Sequence, residues 1–235
     1  MKHSRLFALA ALAAIGALAV AGVAQEAAQA PTSQDHVAAL KANLAEGAKL
    51  IRQYEWTETT VMMMKGEEKS KTQNRCFYGA DGKLQKTPLA PPPAKAKPKG
   101  LKGKVVENKT EDISEYMKNA AALVKSYVPP DPARIQAAKD AKKLAVTPAG
   151  SQVRIDIADY QKPGDKLSLD LDAAKNTLLG LTVATWMKDA KDTVGLKVGF
   201  ATLPDGAFYA AEIALSAPTQ KIEVKITNSG YKKLS

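Results

Sequence analysis

Few residues in this chain could support imidazole, thiol or metal chemistry. Its 235 residues include two histidines, His3 and His36, and a single cysteine, Cys76. Catalysis by a Ser/His/Asp or Cys/His set needs an imidazole beside the nucleophile, and a zinc site needs several His or Cys ligands. The sequence also lacks a Cys-x-x-Cys pair, a Gly-x-x-x-x-Gly-Lys phosphate loop and a Gly-x-Gly-x-x-Gly dinucleotide fingerprint. It therefore predicts a protein without a metal site, a cofactor or imidazole-based catalysis.

Acidic residues are the remaining candidates for chemistry. Asp170, Asp172 and Asn176 have part of the spacing of a calcium loop, but Ala174 and Lys175 stand where that loop needs an oxygen ligand and a glycine. We therefore interpret this segment as a strand and a turn. Two carboxylates far apart in the chain could still converge in a cleft, so an acid/base hydrolase is an alternative to the non-enzymatic protein that the sequence favours.

The first residues predict export. Residues 1–5 are basic, Leu6 to Val23 form an uncharged run rich in Ala and Leu, and Gly22-Val23-Ala24 supplies small residues. This order is typical of a signal peptide, here residues 1–24, that is cleaved after export. We expect the mature protein in the periplasm. A membrane anchor is the alternative, although alanine is only weakly hydrophobic.

The single cysteine has no partner for an intramolecular disulfide. It lies in the apolar run Arg75-Cys76-Phe77-Tyr78, whose residue types are typical of a strand. We interpret Cys76 as a small buried side chain. A reactive or dimer-forming thiol is the alternative.

Hydrophobic periodicity predicts a single α+β domain over residues 35–235, after a flexible leader at 25–34. Apolar residues at steps of three and four predict helices over residues 35–53, 110–127 and 131–144. Period-two alternation predicts about nine strands, namely 54–64, 69–78, a short one ending at Thr87, 153–157, 167–171, 177–187, 193–203, 207–217 and 221–231. We expect one large antiparallel sheet with helices covering one face, and a sheet of this size must twist and curl.

Residues 88–104 combine prolines and lysines without any acidic residue. This composition predicts an extended, solvated loop. One interpretation is a linker; the other is a contact with an anionic surface, made by Lys95, Lys97, Lys99, Lys102 and Lys104. Anionic lipid or polysaccharide would be the partner in that case. Nucleic acid is disfavoured, because the run has no interleaved aromatic residues.

The order of the predicted elements and the spacing of the strands also resemble those of a known family. The segments concerned are the leader, Tyr54-Glu55-Trp56-Thr57-Glu58-Thr59, Gly79-Ala80-Asp81-Gly82 and the closing run from Ile222 to Tyr231. In these features the chain resembles periplasmic lipoprotein carriers and related outer-membrane lipoprotein-sorting proteins. The resemblance implies an unclosed β-barrel with a helical lid, whose concave apolar face accepts acyl chains.

Together these features predict an exported, non-enzymatic binding protein that holds an apolar or acylated ligand between a curled sheet and a helical lid. The candidate ligand-binding residues are Trp56, Met62, Met64, Leu169, Leu181 and Val183. Methionines suit a pliable apolar wall, but the same residues suit an ordinary core. The alternative function is an envelope interaction protein that docks on anionic lipid or polysaccharide through the lysine-rich loop. We expect a monomer that binds no nucleic acid.

Overall fold

The computed structural model describes residues 33–90 and 101–234, and the side chains of residues 33–38 and 101–110 lie outside the description. The described residues form three α-helices, α1 (Ser33–Leu50), α2 (Leu101–Lys125) and α3 (Pro132–Asp140). The strands are β1 (Tyr54–Met64), β2 (Glu67–Tyr78), β3 (Leu84–Pro88), β4 (Leu144–Ala149), β5 (Gln152–Ala158), β6 (Lys166–Asp172), β7 (Thr177–Trp186), β8 (Thr193–Thr202), β9 (Phe208–Ala217) and β10 (Ile222–Lys233). The predicted signal peptide lies outside the described residues. Within them, no helix is long and apolar enough to cross a membrane.

All ten strands belong to one antiparallel sheet with the order β3-β2-β1-β10-β9-β8-β7-β6-β5-β4. The first strand pairs with the last, so the amino-terminal hairpin extends the carboxy-terminal meander instead of forming a separate sheet. Strands β3 and β4 are the two edges, which leaves the sheet unclosed. The prediction of one large, open antiparallel sheet is confirmed.

The described residues form ten strands instead of the predicted nine or so, because β4 lies in a segment to which no strand was assigned. The third predicted helix, α3, ends at Asp140 instead of Leu144, and the chain then pairs Leu144–Ala149 with β5. Pro148 argued against a strand in this segment, because proline is rare inside strands. The Ala158 amide donates to the Lys143 carbonyl at 2.9 Å, so residues 143 and 158 are a hydrogen-bonded pair. Hydrogen-bonded and non-hydrogen-bonded pairs alternate along antiparallel strands, and the backbone nitrogen of Pro148 therefore points away from β5. An edge strand tolerates proline there, because no neighbour needs its missing N–H.

Helix α2 begins at Leu101, earlier than the sequence predicted. Thr110-Glu111-Asp112, which looked like a helix start, lies inside it. Leu, Lys and Glu in residues 101–109 are good helix formers and outweigh Gly103. The predicted loop at 88–104 was therefore too long: β3 reaches Pro88, residues 101–104 are helical, and residues 91–100 lie outside the described residues.

Two rows of directly paired residues carry the core across the sheet. The first row is Leu144, Ile157, Leu167, Val183, Leu196, Leu215, Val224 and Met62. The second is Val146, Ile155, Leu169, Leu181, Val198, Ile213, Ile226 and Thr60. Directly opposed residues in a sheet share a face. We call the face that carries both rows the inner face, and the opposite one the outer face.

All three helices contribute to the hydrophobic cluster that contains these rows. Leu40 and Leu44 of α1, Val124 of α2 and Ile135 of α3 are buried in it. Burying an aliphatic side chain of this size stabilises a fold by ~1.5–3 kcal/mol. The apolar stripes seen in the sequence therefore bind the helices to the sheet.

Buried hydrogen bonds fix the second half of α2 and the turn that follows it. The Tyr127 hydroxyl donates to Asp165 Oδ2 at 2.5 Å and lies 2.8 Å from the Thr185 hydroxyl. Within α2, the Tyr116 hydroxyl donates to Asp192 Oδ1 at 2.7 Å. Both aspartates are almost fully buried. These bonds hold α2 against the ends of β6, β7 and β8.

Candidate ligand-binding face of the sheet

The first inner-face row passes from the buried core to a partly exposed margin. Val183 and Leu196 are 1% and 2% exposed. Further along the row, Val224 on β10 and Met62 on β1 are only partly buried. Apolar side chains thus continue past the hydrophobic cluster to the β1 side of the sheet. We call the partly buried inner-face residues Met62, Met64 and Val224 the methionine margin.

The predicted ligand residues fall into two groups in the structure. Leu169 and Leu181 are direct cross-strand partners, and Val183 lies two residues from Leu181 on β7. All three are 1% exposed and belong to the hydrophobic cluster. Met62 shares the row of Val183 but is four strands away, which is ~19 Å at the usual strand spacing. The structure therefore separates a core group from the methionine margin.

Trp56, the remaining predicted ligand residue, occupies the far end of β1 in an aromatic cluster. Its ring stacks on Tyr231 with centroids 5.6 Å apart and contacts Tyr78 at 5.9 Å. Tyr209 adds a further ring, 4.3 Å from Tyr231. The indole Nε1 donates to Asn228 Oδ1 at 3.1 Å. Trp56 is 8% exposed, so its ring is engaged by its own neighbours.

An ion pair between a buried glutamate and a partly buried lysine lies beside this cluster. Glu58 on β1 is 6% exposed, and the Lys86 ammonium donates to both of its carboxylate oxygens at 2.7 and 2.6 Å. Pairing of this kind offsets the large cost of removing two charges from water. Both residues are on the inner face, because Lys86 is opposite Cys76 and Cys76 is opposite Trp56, two residues before Glu58.

The Cys76 thiol is fully buried, which confirms the interpretation of this residue as a buried strand side chain. Burial, followed by the negative charge of Glu58, raises the pKa of the thiol to about 11. A thiol is nucleophilic only as the thiolate. Near neutral pH, Cys76 is therefore protonated and acts as a small apolar side chain.

The aromatic and ionic clusters were not found from the sequence. Their members come from β1, β2, β3, β9 and β10, and only the strand register brings them together. The lysines proposed for an anionic surface are divided: Lys95, Lys97 and Lys99 lie outside the described residues, whereas Lys102 and Lys104 are in the first turn of α2. In the part of the chain that is described, no three His, Cys, Asp or Glu side chains are grouped to hold a metal.

Comparisons with known proteins show weak similarity to two solved structures. A DUF1329 family protein from Desulfovibrio piger matches with a TM-score of 0.36 and 11% identity, over 83% of this chain and 92% of that chain. MucB in complex with MucA(peri) matches with a TM-score of 0.20 and 8% identity, over 84% of this chain and 99% of that chain. No protein-family model matches the chain, and no curated protein matches its sequence. At these TM-scores, neither structure defines the family of this chain.

Proposed function

We propose that this chain is an exported, non-enzymatic periplasmic protein that binds an apolar or acylated ligand on the inner face of its sheet. The ligand would occupy the methionine margin, with the three helices forming a lid beside it over a curled sheet. The exported state rests on the signal-like first residues, which are basic, then apolar, then small. We expect the monomer to be the binding form.

The continuity of the first inner-face row carries this proposal. Its side chains are apolar from Leu144 to Met62, yet Val224 and Met62 are only partly buried. Covering apolar surface is favourable by ~25 cal/mol per Å². An apolar ligand that covers Val224 and Met62 would therefore be stabilised there.

The type of side chain at this margin also suits a ligand of variable shape. Met62 and Met64 both lie on the inner face, since they are two residues apart on β1. Methionine has three rotatable bonds and a polarisable sulfur, and it adapts to irregular apolar surfaces. This property favours binding of acyl chains over rigid recognition of one small molecule.

The polar groups of the inner face support binding without catalysis. Glu58 is held by Lys86 at 2.7 and 2.6 Å, and Cys76 is protonated because its pKa is raised to about 11. A general base needs a free lone pair within reach of its substrate. Neither side chain presents one near the methionine margin.

Two measurements test this function. Protein purified from its native envelope is extracted with organic solvent, and the extract is analysed for lipid by mass spectrometry. The delipidated protein is then titrated with N-phenyl-1-naphthylamine, a neutral apolar dye. We expect an extracted acyl compound and saturable dye binding. A protein that yields no lipid and does not bind the dye would rule out the proposal.

A further inference from the structure

The outer face of the sheet contains a second apolar feature. Two adjoining hollows, of about 500 and 350 Å³, share Ser216 and Pro218. One extends to Met63 and the other to Trp186. Together they form a single depression across the strands, which we call the outer trough.

The floor of the outer trough is a row of mostly small residues. Ala184, Gly195, Ser216, Glu223 and Met63 are directly paired in sequence across β7, β8, β9, β10 and β1. Four strand spacings make this row ~19 Å long. The depression depends on the missing side chain at residue 195, since a Cβ there would lie 2.8 Å from the Ser216 hydroxyl oxygen. The trough is therefore long and narrow.

Two lysines line one end of the outer trough. Lys65 and Lys221 line that end, and a 2.8 Å hydrogen bond from the Lys65 amide to the Lys221 carbonyl holds their backbones together. Neither lysine forms an ion pair with a carboxylate of the described residues. Glu223, the acidic residue on the floor, is engaged by Lys225 at 3.4 Å. This end is therefore complementary to an anion.

The other end of the outer trough is aromatic and carries one further lysine. Trp186 lies there beside Pro163 and Ala184. Its Nε1 donates to the Pro163 carbonyl at 3.2 Å, and the Lys162 ammonium lies 3.7 Å from the ring centroid. These two contacts fix the indole as a rigid wall. The trough thus runs from an end with two lysines to an end where an indole is covered on one side by a lysine, over a floor of mostly small side chains.

From the two lysines at one end and the narrow floor of small side chains we infer that the outer trough binds a linear alkyl chain with one terminal anionic group. The head group would be held by Lys65 and Lys221, and the chain would extend over Ser216 and Gly195 towards Trp186. A chain of hexadecanoate length fits the row. The inference does not depend on the proposed function, because the outer trough and the methionine margin are on opposite faces of the sheet.

The head-group contact is tested with hexadecanoate and hexadecanol, which differ in charge but share the chain. We expect the Lys65→Gln/Lys221→Gln variant to bind hexadecanoate about tenfold more weakly and to bind hexadecanol as the parent does. Lys142→Gln is the matched control, because Lys142 is also an exposed turn residue with a left-handed backbone. Unchanged hexadecanoate affinity in the double variant would overturn the inference.

The position of the chain is tested with ω-bromohexadecanoate, whose bromine quenches an indole that it contacts. The sequence has two tryptophans, Trp56 and Trp186. We expect the quenching to be lost in Trp186→Phe and kept in Trp56→Phe. If Trp56→Phe does not fold, comparison of Trp186→Phe with the parent gives the same answer. Quenching that persists in Trp186→Phe would place the chain elsewhere and overturn the inference.

Discussion

Tyr127, in the turn that follows α2, and Asp165, immediately before β6, form a buried hydrogen bond of 2.5 Å between hydroxyl and carboxylate. The carboxylate of Asp165 also accepts from the amides of Gln161 and Lys162, at 3.1 and 3.0 Å. It is 2% exposed. One phenol thus helps to satisfy a buried charge and joins a helix to the sheet.

Tyr127→Phe tests the strength of this connection. The substitution leaves the Thr185 hydroxyl without its Tyr127 partner and removes one of the donors to Asp165, whose bonds from the Gln161 and Lys162 amides remain. An unsatisfied buried polar group costs ~1–3 kcal/mol. We expect the free energy of unfolding in urea to fall by an amount of this size. Tyr54→Phe is the matched control, because it removes an exposed 2.6 Å bond to Asp205 and should have a smaller effect. Equal losses for both variants would contradict the account.

Cys76 should resist alkylation while the chain is folded. Its pKa of about 11 is well above the ~8.5 of a free cysteine, and its side chain is fully buried. At pH 8 we expect iodoacetamide to modify the thiol rapidly in urea and very slowly in the native protein. Because the unfolded thiol loses its proton first, Cys76 should also lower stability as the pH rises above ~8.5. A native rate equal to that in urea would contradict the burial.

Asp159 should stabilise the fold in a pH-dependent way. The Gly164 amide donates to its carboxylate at 2.7 Å, and Lys143 pairs with it at 3.0 Å. Both contacts lower the pKa of Asp159, and the hydrogen bond from the Gly164 amide has the larger effect. A lowered folded-state pKa gives stability that is present above the unfolded value of ~3.9 and is lost as the pH falls through the folded value.

Asp159→Asn is the corresponding substitution. Asparagine tolerates the left-handed backbone of this residue, whose φ is 51°. We therefore expect the variant to be less stable than the parent at pH 7, with the difference closing as the pH falls below ~3.9. Thermal unfolding at a series of pH values measures this. A difference that is constant with pH would show that the carboxylate charge is not responsible.

Local periodicity was sufficient for most of the fold. The alternation from Val153 to Tyr231 predicted six strands and their order, because neighbouring strands are joined by short turns. It failed where local signals conflicted with tertiary context. Pro148 argued against a strand where β4 is found. Thr110-Glu111-Asp112 has the residue types of a helix start, but α2 begins at Leu101.

The site residues were harder to predict, because they depend on register. Alternation places Met62 and Val183 on an apolar face of their own strands, but only the pairing through β10, β9 and β8 shows that they share a row. The same holds for the outer trough. Nothing in the local sequence of Gly195 indicates that Ser216 and Ala184 lie directly beside it.

An apolar ligand on the methionine margin would contact Met62, whereas Val61, its neighbour on β1, points to the opposite face of the sheet. Titration of Met62→Gln and Val61→Gln with N-phenyl-1-naphthylamine therefore compares a glutamine on the two faces of one strand. We expect about tenfold weaker binding for Met62→Gln and parent-like binding for Val61→Gln. Parent-like binding by Met62→Gln would contradict the proposed site.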